Sequence, residues 1–431
     1  MMKVNIISKK LIKPRTLTPQ NLNKYKLSLI DELIPPEFMN VTLFYPPNPN
    51  PTINQLQESL SDILPQFYPL AGRYMKKDHL VDCNDEGAEF VEAEANDIEL
   101  IDFIAQSKNV DHLDNPLSRH PYDMDKPNDP LLSIQITKFK CGGLSISISL
   151  SHRISDVSSL GTLITAWSNA HHNNNNQEPI MIIPTFDSPS LFPGTNLECD
   201  FEPPHKVALK RLLFNKEVIS SLRDKLRPNK NGNGYLSRVR VVSAVIAKAL
   251  IRVELAKRGK SRVCYIGQAV NMRSRTIPRL HEHLNGNLVV EAVTKCMDAN
   301  ESKEKGLQEL VYLLGDVIEK TIIDCEKLLS LDEDGRKRIL RDPLLKMYEI
   351  LSNGDGVAMW FTDWSKFGFY KAEFGSGSKP IWVRVGNVCT ENVTIFVENK
   401  EGDGIEAWVH LDPCDVPYFE VDEDMKLFTI A

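Results

Sequence analysis

Residues 144–151 alternate strictly, with Leu144, Ile146, Ile148 and Leu150 on one parity and serines on the other, a pattern of period two that predicts a β-strand. His152 continues the apolar parity, so its ring is expected to point inward from the strand end. The period then changes: Val157, Leu160, Leu163, Ile164 and Trp167 recur at helical spacing, with Ser155 or Asp156 placed to cap the first turn. A strand, a tight turn and a helix therefore meet at an ionisable ring. Such a junction sets a side chain at the mouth of a packed core, where a general base could meet a substrate away from bulk water.

The same reading along the chain predicts a helix over 53–67, from Ile53, Leu56, Leu60, Ile63, Leu64 and Phe67, and strands near 38–45, 79–83, 88–93, 131–139 and 144–151. Between His171 and Pro204 an asparagine run and six prolines erase the periodicity. That stretch reads as a crossover linker, which divides the chain into an N-terminal domain over 1–178, a linker over 179–204 and a C-terminal domain over 205–431. In the second domain, helices are expected at 215–226 and 237–257, the latter capped by Ser237 and stopped by Gly259. Strands near 263–270 and 287–296, a helical stretch over 304–330, and strands near 381–389, 393–399 and 405–411 follow. The class is mixed α/β in both halves, without a regular βαβ repeat.

Composition narrows the partners. At 431 residues with 42% hydrophobic content the chain exceeds one ordinary core. Its formal net charge of -7 speaks against general binding of nucleic acid or anionic membranes. No segment approaches the roughly 18 apolar residues of a spanning helix, and Met1 to Lys13 has no apolar stretch of signal-peptide length. A soluble cytoplasmic protein is therefore expected. The sequons at Asn40 and Asn392 read as chance matches on strands, and the eight scattered cysteines as buried free thiols.

Chemistry read from the residues alone stays open. His-x-x-x-Asp is a weak motif, more often a hydrogen-bonded core histidine than a catalyst. No third ligand stands at metal-binding spacing, since His281-Glu282-His283 reads as a loop, so no metal is expected. A serine-nucleophile elbow is lacking, and Cys141 precedes the strand rather than ending it. Residues 205–240 hold ten Lys or Arg against Glu217 and Asp224, which is either a solvated face or a patch for a phosphorylated small molecule.

A second constellation changes this picture. Residues 360–382 are dense in aromatics and glycines, and together with His152-Arg153-Ile154-Ser155-Asp156 they resemble the paired signatures, H-x-x-x-D and D-F-G-W-G, of the plant BAHD acyl-CoA-dependent acyltransferases. Tyr68-Pro69-Leu70-Ala71-Gly72-Arg73, Gln268 to Arg275, Gly286-Asn287 and Gly404 to Trp408 fall in the family's order. Val157 and Asn271-Met272-Arg273-Ser274-Arg275 are most similar to the alkaloid-acetylating branch typified by vinorine synthase.

The resemblance implies a monomer of two chloramphenicol acetyltransferase-like domains with a channel between them. It also implies transfer of an acyl group, acetyl first among candidates, from acyl-CoA as co-substrate to a small-molecule alcohol such as an alkaloid, with no permanently bound cofactor and no covalent acyl-enzyme. His152 would be the general base and Asp156 would hold the turn, paired with Arg273 or Arg275. Thr362 and Trp364 would line the pocket and serve the oxyanion, and Ser237 and Arg238 would touch CoA. The downstream motif departs from the pattern: Glu373, grouped by the resemblance with the catalytic positions, replaces Asp, and Phe374, Gly375, Ser376 and Gly377 follow with Ser376 in place of the indole. A longer or branched acyl donor, an amine acceptor, or a catalytically silent ligand-binding homologue are the alternatives.

Overall fold

The computed structural model describes residues 2–47, 51–106, 117–119, 126–172, 182–197, 199, 206–226, 236–259, 262–296, 306–354, 356–375 and 377–427. The chain is mixed α/β and forms two compact units: Met1–Pro204, His281–Leu288 and Phe367–Asn387 make the first, and His205–Leu280, Val289–Lys366 and Val388–Ala431 make the second. The single cut at a linker anticipated from the prolines is replaced by an exchange of segments. His281–Leu288 and Phe367–Asn387 belong with the N-terminal residues, and most of the described part of 179–204 packs there as well, through Phe186 against Tyr25 and Tyr68 and through Pro193 bridging to Ser28.

The sheet of the first unit has six strands in the order Asn5–Ile12, Ala88–Ala95, Leu132–Phe139, Leu144–Ser151, Phe38–Tyr45 and Trp382–Val385. Leu144–Ser151 lies inside it, antiparallel to both neighbours, with Ile148 opposite Val41 on one side and Ile134 on the other. Its apolar parity is buried as the alternation requires, and burying side chains of this size contributes about 1.5–3 kcal/mol each. The serine parity is buried too. Ser147 bonds to Thr42 at 2.9 Å and Ser149 donates to Asn40 Oδ1 at 2.5 Å, so these two hydroxyls find side-chain partners where water would have served. Asn40 is therefore inaccessible as a glycan acceptor at 2% exposure.

The helix Val157–His172 follows the strand and packs on Ile53–Ile63, where the Trp167 indole donates to Ser59 Oγ at 3.0 Å. Ile53–Ile63 starts at a capping box formed by Thr52 and Gln55, which satisfies two N-terminal amides reciprocally. It ends four residues earlier than its periodicity suggested, and Tyr68–Ala71 forms a 3-10 turn.

The second unit is built on a sheet in the order Val289–Cys296, Val263–Asn271, Gly356–Asp363, Val393–Glu398, Ile405–Leu411 and Ala208–Phe214. The helix Arg238–Arg258 is capped by Ser237 and stopped by Gly259 in a left-handed conformation, and its Val241, Val245, Ile246 and Leu250 join a core with Ile266, Met359 and Phe396. Several elements depart from expectation. Asn5–Ile12 is a strand with mostly exposed residues on a sheet edge, and Trp382–Val385 completes the first sheet rather than the second. Ala208–Phe214 and Gly356–Asp363 are strands, while Glu333–Leu340 and Asp342–Ser352 add helices beyond Leu307–Lys327.

Candidate active site

His152 stands at the end of Leu144–Ser151, and its backbone N–H continues the ladder to Glu37 O at 2.8 Å. The ring is partly buried, and desolvation holds its pKa below the ordinary histidine value, so the neutral form is the resting one near pH 7. Its Nδ1 lies 3.0 Å from Asn287 Oδ1. The Asn287 amide is oriented by its other partners, because Nδ2 faces two acceptors, Asp31 Oδ1 at 2.8 Å and His152 O at 2.7 Å. Only the carbonyl oxygen of that amide is left for the ring. A carbonyl can only accept, so Nδ1 carries the hydrogen and Nε2 keeps its lone pair.

Asp156 stands one turn on. Its Oδ1 accepts the N–H and hydroxyl of Ser159 at 2.9 and 3.0 Å, capping Val157–His172, and its Oδ2 accepts Leu288 N at 3.1 Å. Of the two candidate caps, Asp156 performs the role, while Ser155 reaches across to Asn285 Oδ1 at 3.2 Å. The segment that carries Asn287 is also fixed by Gly286. There φ is +129° and a Cβ would meet Ser188 Oγ at 2.4 Å, so only glycine fits.

Asn287 and Asp31 are the neighbours of His152 that motif reading passed over. Gly286-Asn287 was recognisable as a family string, but nothing in its spacing ties it to His152. Asp31 is buried at 2% exposure, and burial lifts its carboxyl to about 6 against the lowering effect of hydrogen bonds from Ser28 and Asn287.

The downstream loop is anchored to the same helix. Glu373 N donates to Ser168 Oγ at 2.8 Å, and the hydroxyl donates back to Glu373 O at 3.0 Å. Phe374 is fully buried against Trp167 and Tyr45, and Tyr45 Oη donates to Ala372 O at 3.1 Å. The Glu373 carboxylate lies 3.2 Å from Lys379. These contacts anchor the Glu373 backbone to the helix and set its carboxylate beside Lys379. Gly375 and Gly377 both have positive φ, whereas Ser376 lies outside the described residues.

The remaining expected site residues belong to the second unit. Trp364 Nε1 donates to Thr362 Oγ1 at 3.2 Å, which spends the indole N–H and leaves the threonine hydroxyl hydrogen to donate elsewhere. Arg273 N and Nη1 donate to Asn271 Oδ1 at 3.0 and 3.3 Å, and Arg275 donates to Asn271 O. Ser237 Oγ accepts Arg240 N at 3.1 Å, and Arg238 Nη1 donates to Gly402 O at 3.0 Å. The basic stretch is partly neutralised by sheet and helix neighbours: Lys210 pairs with Glu420 at 2.6 Å, and Arg211 pairs with Glu406 through two bonds and lies over the Trp408 ring.

Among the described residues no cluster of His, Cys, Asp and Glu is placed to hold a metal, and no helix is long and apolar enough to cross a membrane. Cys83, Cys264, Cys325 and Cys389 are buried free thiols, but Cys414 is exposed and Cys141 and Cys199 are half-buried, so the expectation of uniformly buried cysteines fails.

The profile of the Transferase family matches residues 2–426. The chain is a BAHD acyltransferase. A pelargonidin glucoside malonyltransferase of Salvia splendens is 41% identical, over 99% of this chain and 100% of its own length. Vinorine synthase of Rauvolfia serpentina is 33% identical over 94% and 93% of the two chains. The crystal structure of vinorine synthase superposes with a TM-score of 0.82 at 30% identity, covering 99% of this chain and 98% of that one. F. sporotrichioides TRI101, complexed with coenzyme A and T-2, shares the fold at a TM-score of 0.72 and 18% identity over 94% and 98% of the chains. The fold is thus the two-domain chloramphenicol acetyltransferase type, and this BAHD chain is an acyltransferase enzyme.

Proposed function

We propose that this BAHD enzyme transfers a short acyl group from acyl-CoA to a hydroxyl of a plant specialised metabolite, with His152 as general base. The observation that carries the reading is the 3.0 Å contact of His152 Nδ1 with Asn287 Oδ1: a desolvated, neutral imidazole that donates Nδ1–H there has its lone pair on Nε2, the form that can take a proton. Nε2 would accept the acceptor hydroxyl proton as that oxygen attacks the thioester carbonyl carbon. The tetrahedral oxyanion would then collapse, the C–S bond would break, and the imidazolium would return the proton to the departing CoA thiolate. No covalent acyl-enzyme and no bound cofactor are needed. The Thr362 hydroxyl, relieved of accepting from elsewhere by Trp364, is suited to donate to the oxyanion. Asp156 would hold the turn, with Arg273 or Arg275 as its charge partner, and Ser237 and Arg238 are proposed to serve the CoA side. The enzyme would work as a cytoplasmic monomer.

Acetyl-CoA and an alcohol such as an alkaloid form the first substrate pair, in line with the named activities of the acetyltransferase relatives. A second reading takes malonyl-CoA as donor and a glycosylated phenolic as acceptor, motivated by the Salvia splendens relative at 41% identity over the whole chain. The test is release of free CoA thiol from acetyl-, malonyl- and six-carbon acyl-CoA with a panel of alcohols and glucosides, products identified by mass. A kcat/KM for malonyl-CoA well above that for acetyl-CoA selects the second reading. No acyl transfer with any pair, from folded protein, overturns both in favour of a silent homologue.

A further inference from the structure

We propose that Asp31 is a positioning residue for the catalytic base, acting through Asn287 to fix which nitrogen of His152 bears the proton. The inference deepens the acyl-transfer reading and rests on His152 being its base. Asp31 Oδ1 receives two donors from Asn287, the backbone N at 3.1 Å and Nδ2 at 2.8 Å, while Oδ2 accepts Ser28 N at 2.8 Å. Ser28 Oγ in turn accepts Asp31 N at 3.1 Å, so the carboxylate is held from behind. Asp31, Ser28 and Asn287 are all at most 2% exposed, which leaves no water to compensate a misplaced partner.

The consequence concerns an amide flip. Turned by half a rotation, Asn287 would set its oxygen against Asp31 Oδ1 and His152 O, and its NH2 against the ring Nδ1. Two oxygen-on-oxygen contacts would replace two hydrogen bonds, and the third contact would survive only with a change of tautomer. The ring would then have to accept at Nδ1 and carry its hydrogen on Nε2, and the nitrogen needed for proton abstraction would be blocked. In other enzymes a wrong histidine tautomer costs up to about 10⁴-fold in turnover. Asp31 forbids that flip, although it has no hydrogen bond to His152 itself. Asp156, whose carboxylate accepts from Ser159 and Leu288, fixes the turn instead.

The experiment uses the full-length protein labelled with ¹⁵N-histidine. Long-range ¹H–¹⁵N correlation reads the tautomer of His152, assigned by its loss in His152→Gln, and CoA release gives kcat and KM. In the unmodified protein the signal should show Nδ1–H with Nε2 unprotonated. Asp31→Ala and Asn287→Ala should each give a mixture of tautomers and lower kcat about tenfold or more. KM for acyl-CoA should stay within about twofold, and the double variant should be no slower than Asn287→Ala alone. If Asp31→Ala does not fold, Asp31→Asn carries the same readouts. It retains one acceptor oxygen for the three donors, so an intermediate shift is expected. An unchanged tautomer, or losses that multiply in the double variant, overturns the proposal. The tautomer arm needs no turnover, so a tautomer change in a protein that transfers no acyl group supports the relay while refuting the acyl-transfer reading.

Discussion

Asp156 Oδ2 accepts the backbone N–H of Leu288 at 3.1 Å, so the carboxylate that caps the helix behind the base also ties down the segment that carries Asn287. Asp156→Ala removes a helix cap, worth about 0.5–2 kcal/mol, and leaves a buried N–H unpaired at about 1–3 kcal/mol. A lower midpoint in urea and a slower enzyme are expected together. Asp156→Asn keeps one acceptor and should be milder on both measures. An unchanged midpoint in Asp156→Ala would remove this structural role.

His152→Ala should cut turnover at least about a hundredfold, the lower end of what a positioned general base supplies. Its ring is partly buried at a strand end, so the melting temperature should move by only a few degrees. Near-normal turnover by a folded His152→Ala protein would refute the assignment.

The pH profile follows from burial. Desolvation lowers the His152 pKa, so the base is lost to protonation only below the ordinary histidine range, and kcat/KM should hold through about pH 6.5 before falling. For stability the sign is set by which state binds more protons. The unfolded chain protonates His152 first, so this contribution is lost as pH falls from about 6.5 through the folded value. Asp31 acts oppositely, since its folded pKa is raised from 3.8 to about 6 and its contribution declines as pH rises across that window. Asp31→Asn should abolish the second slope in urea titrations at successive pH values and leave the first in place.

Thr362→Val deletes the hydroxyl suited to the oxyanion and should lower kcat about 10²-fold or more with little change in KM, as removal of such donors does elsewhere. Trp364→Phe removes only the donor to Thr362 and should be gentler. Equal losses in the two variants would shift the role toward packing of the indole.

Ser168→Ala breaks both hydrogen bonds to the Glu373 backbone and should loosen the loop, read as faster amide exchange at Phe374 and Gly375. Glu373→Gln weakens a partly exposed pair with Lys379, worth about 0–1 kcal/mol, and should keep near-normal turnover. A hundredfold loss in Glu373→Gln would place that residue in the catalytic group.

What could be read in the sequence was what repeats locally. The strand 144–151 announced itself by alternation, the helix after it by period, and Arg238–Arg258 by Ser237 before and Gly259 behind. The relay could not be read so. Asp31 opens the one-turn 3-10 helix Asp31–Leu33 and Asn287 lies in a loop 256 positions away, and a hydrogen bond between two such short segments leaves no period in either. Asn5–Ile12 escaped because an edge strand with most of its residues exposed has little apolar alternation to show. Trp382–Val385 was visible as a strand, but four residues do not specify which sheet they join.

That last strand bears on how the molecule is made. Trp382 stacks on Phe44 and pairs with it in register, so the sheet that carries His152 acquires its final edge from a segment synthesised long after Phe44. During translation the nascent N-terminal half waits with one open strand and without Asn287 beside its histidine. Closure between such distant residues is slow, and exposed strand edges invite association in the meantime. A fragment ending at Pro204 is thus an unfinished sheet, prone to aggregate, and halves expressed separately should need each other's presence to become soluble.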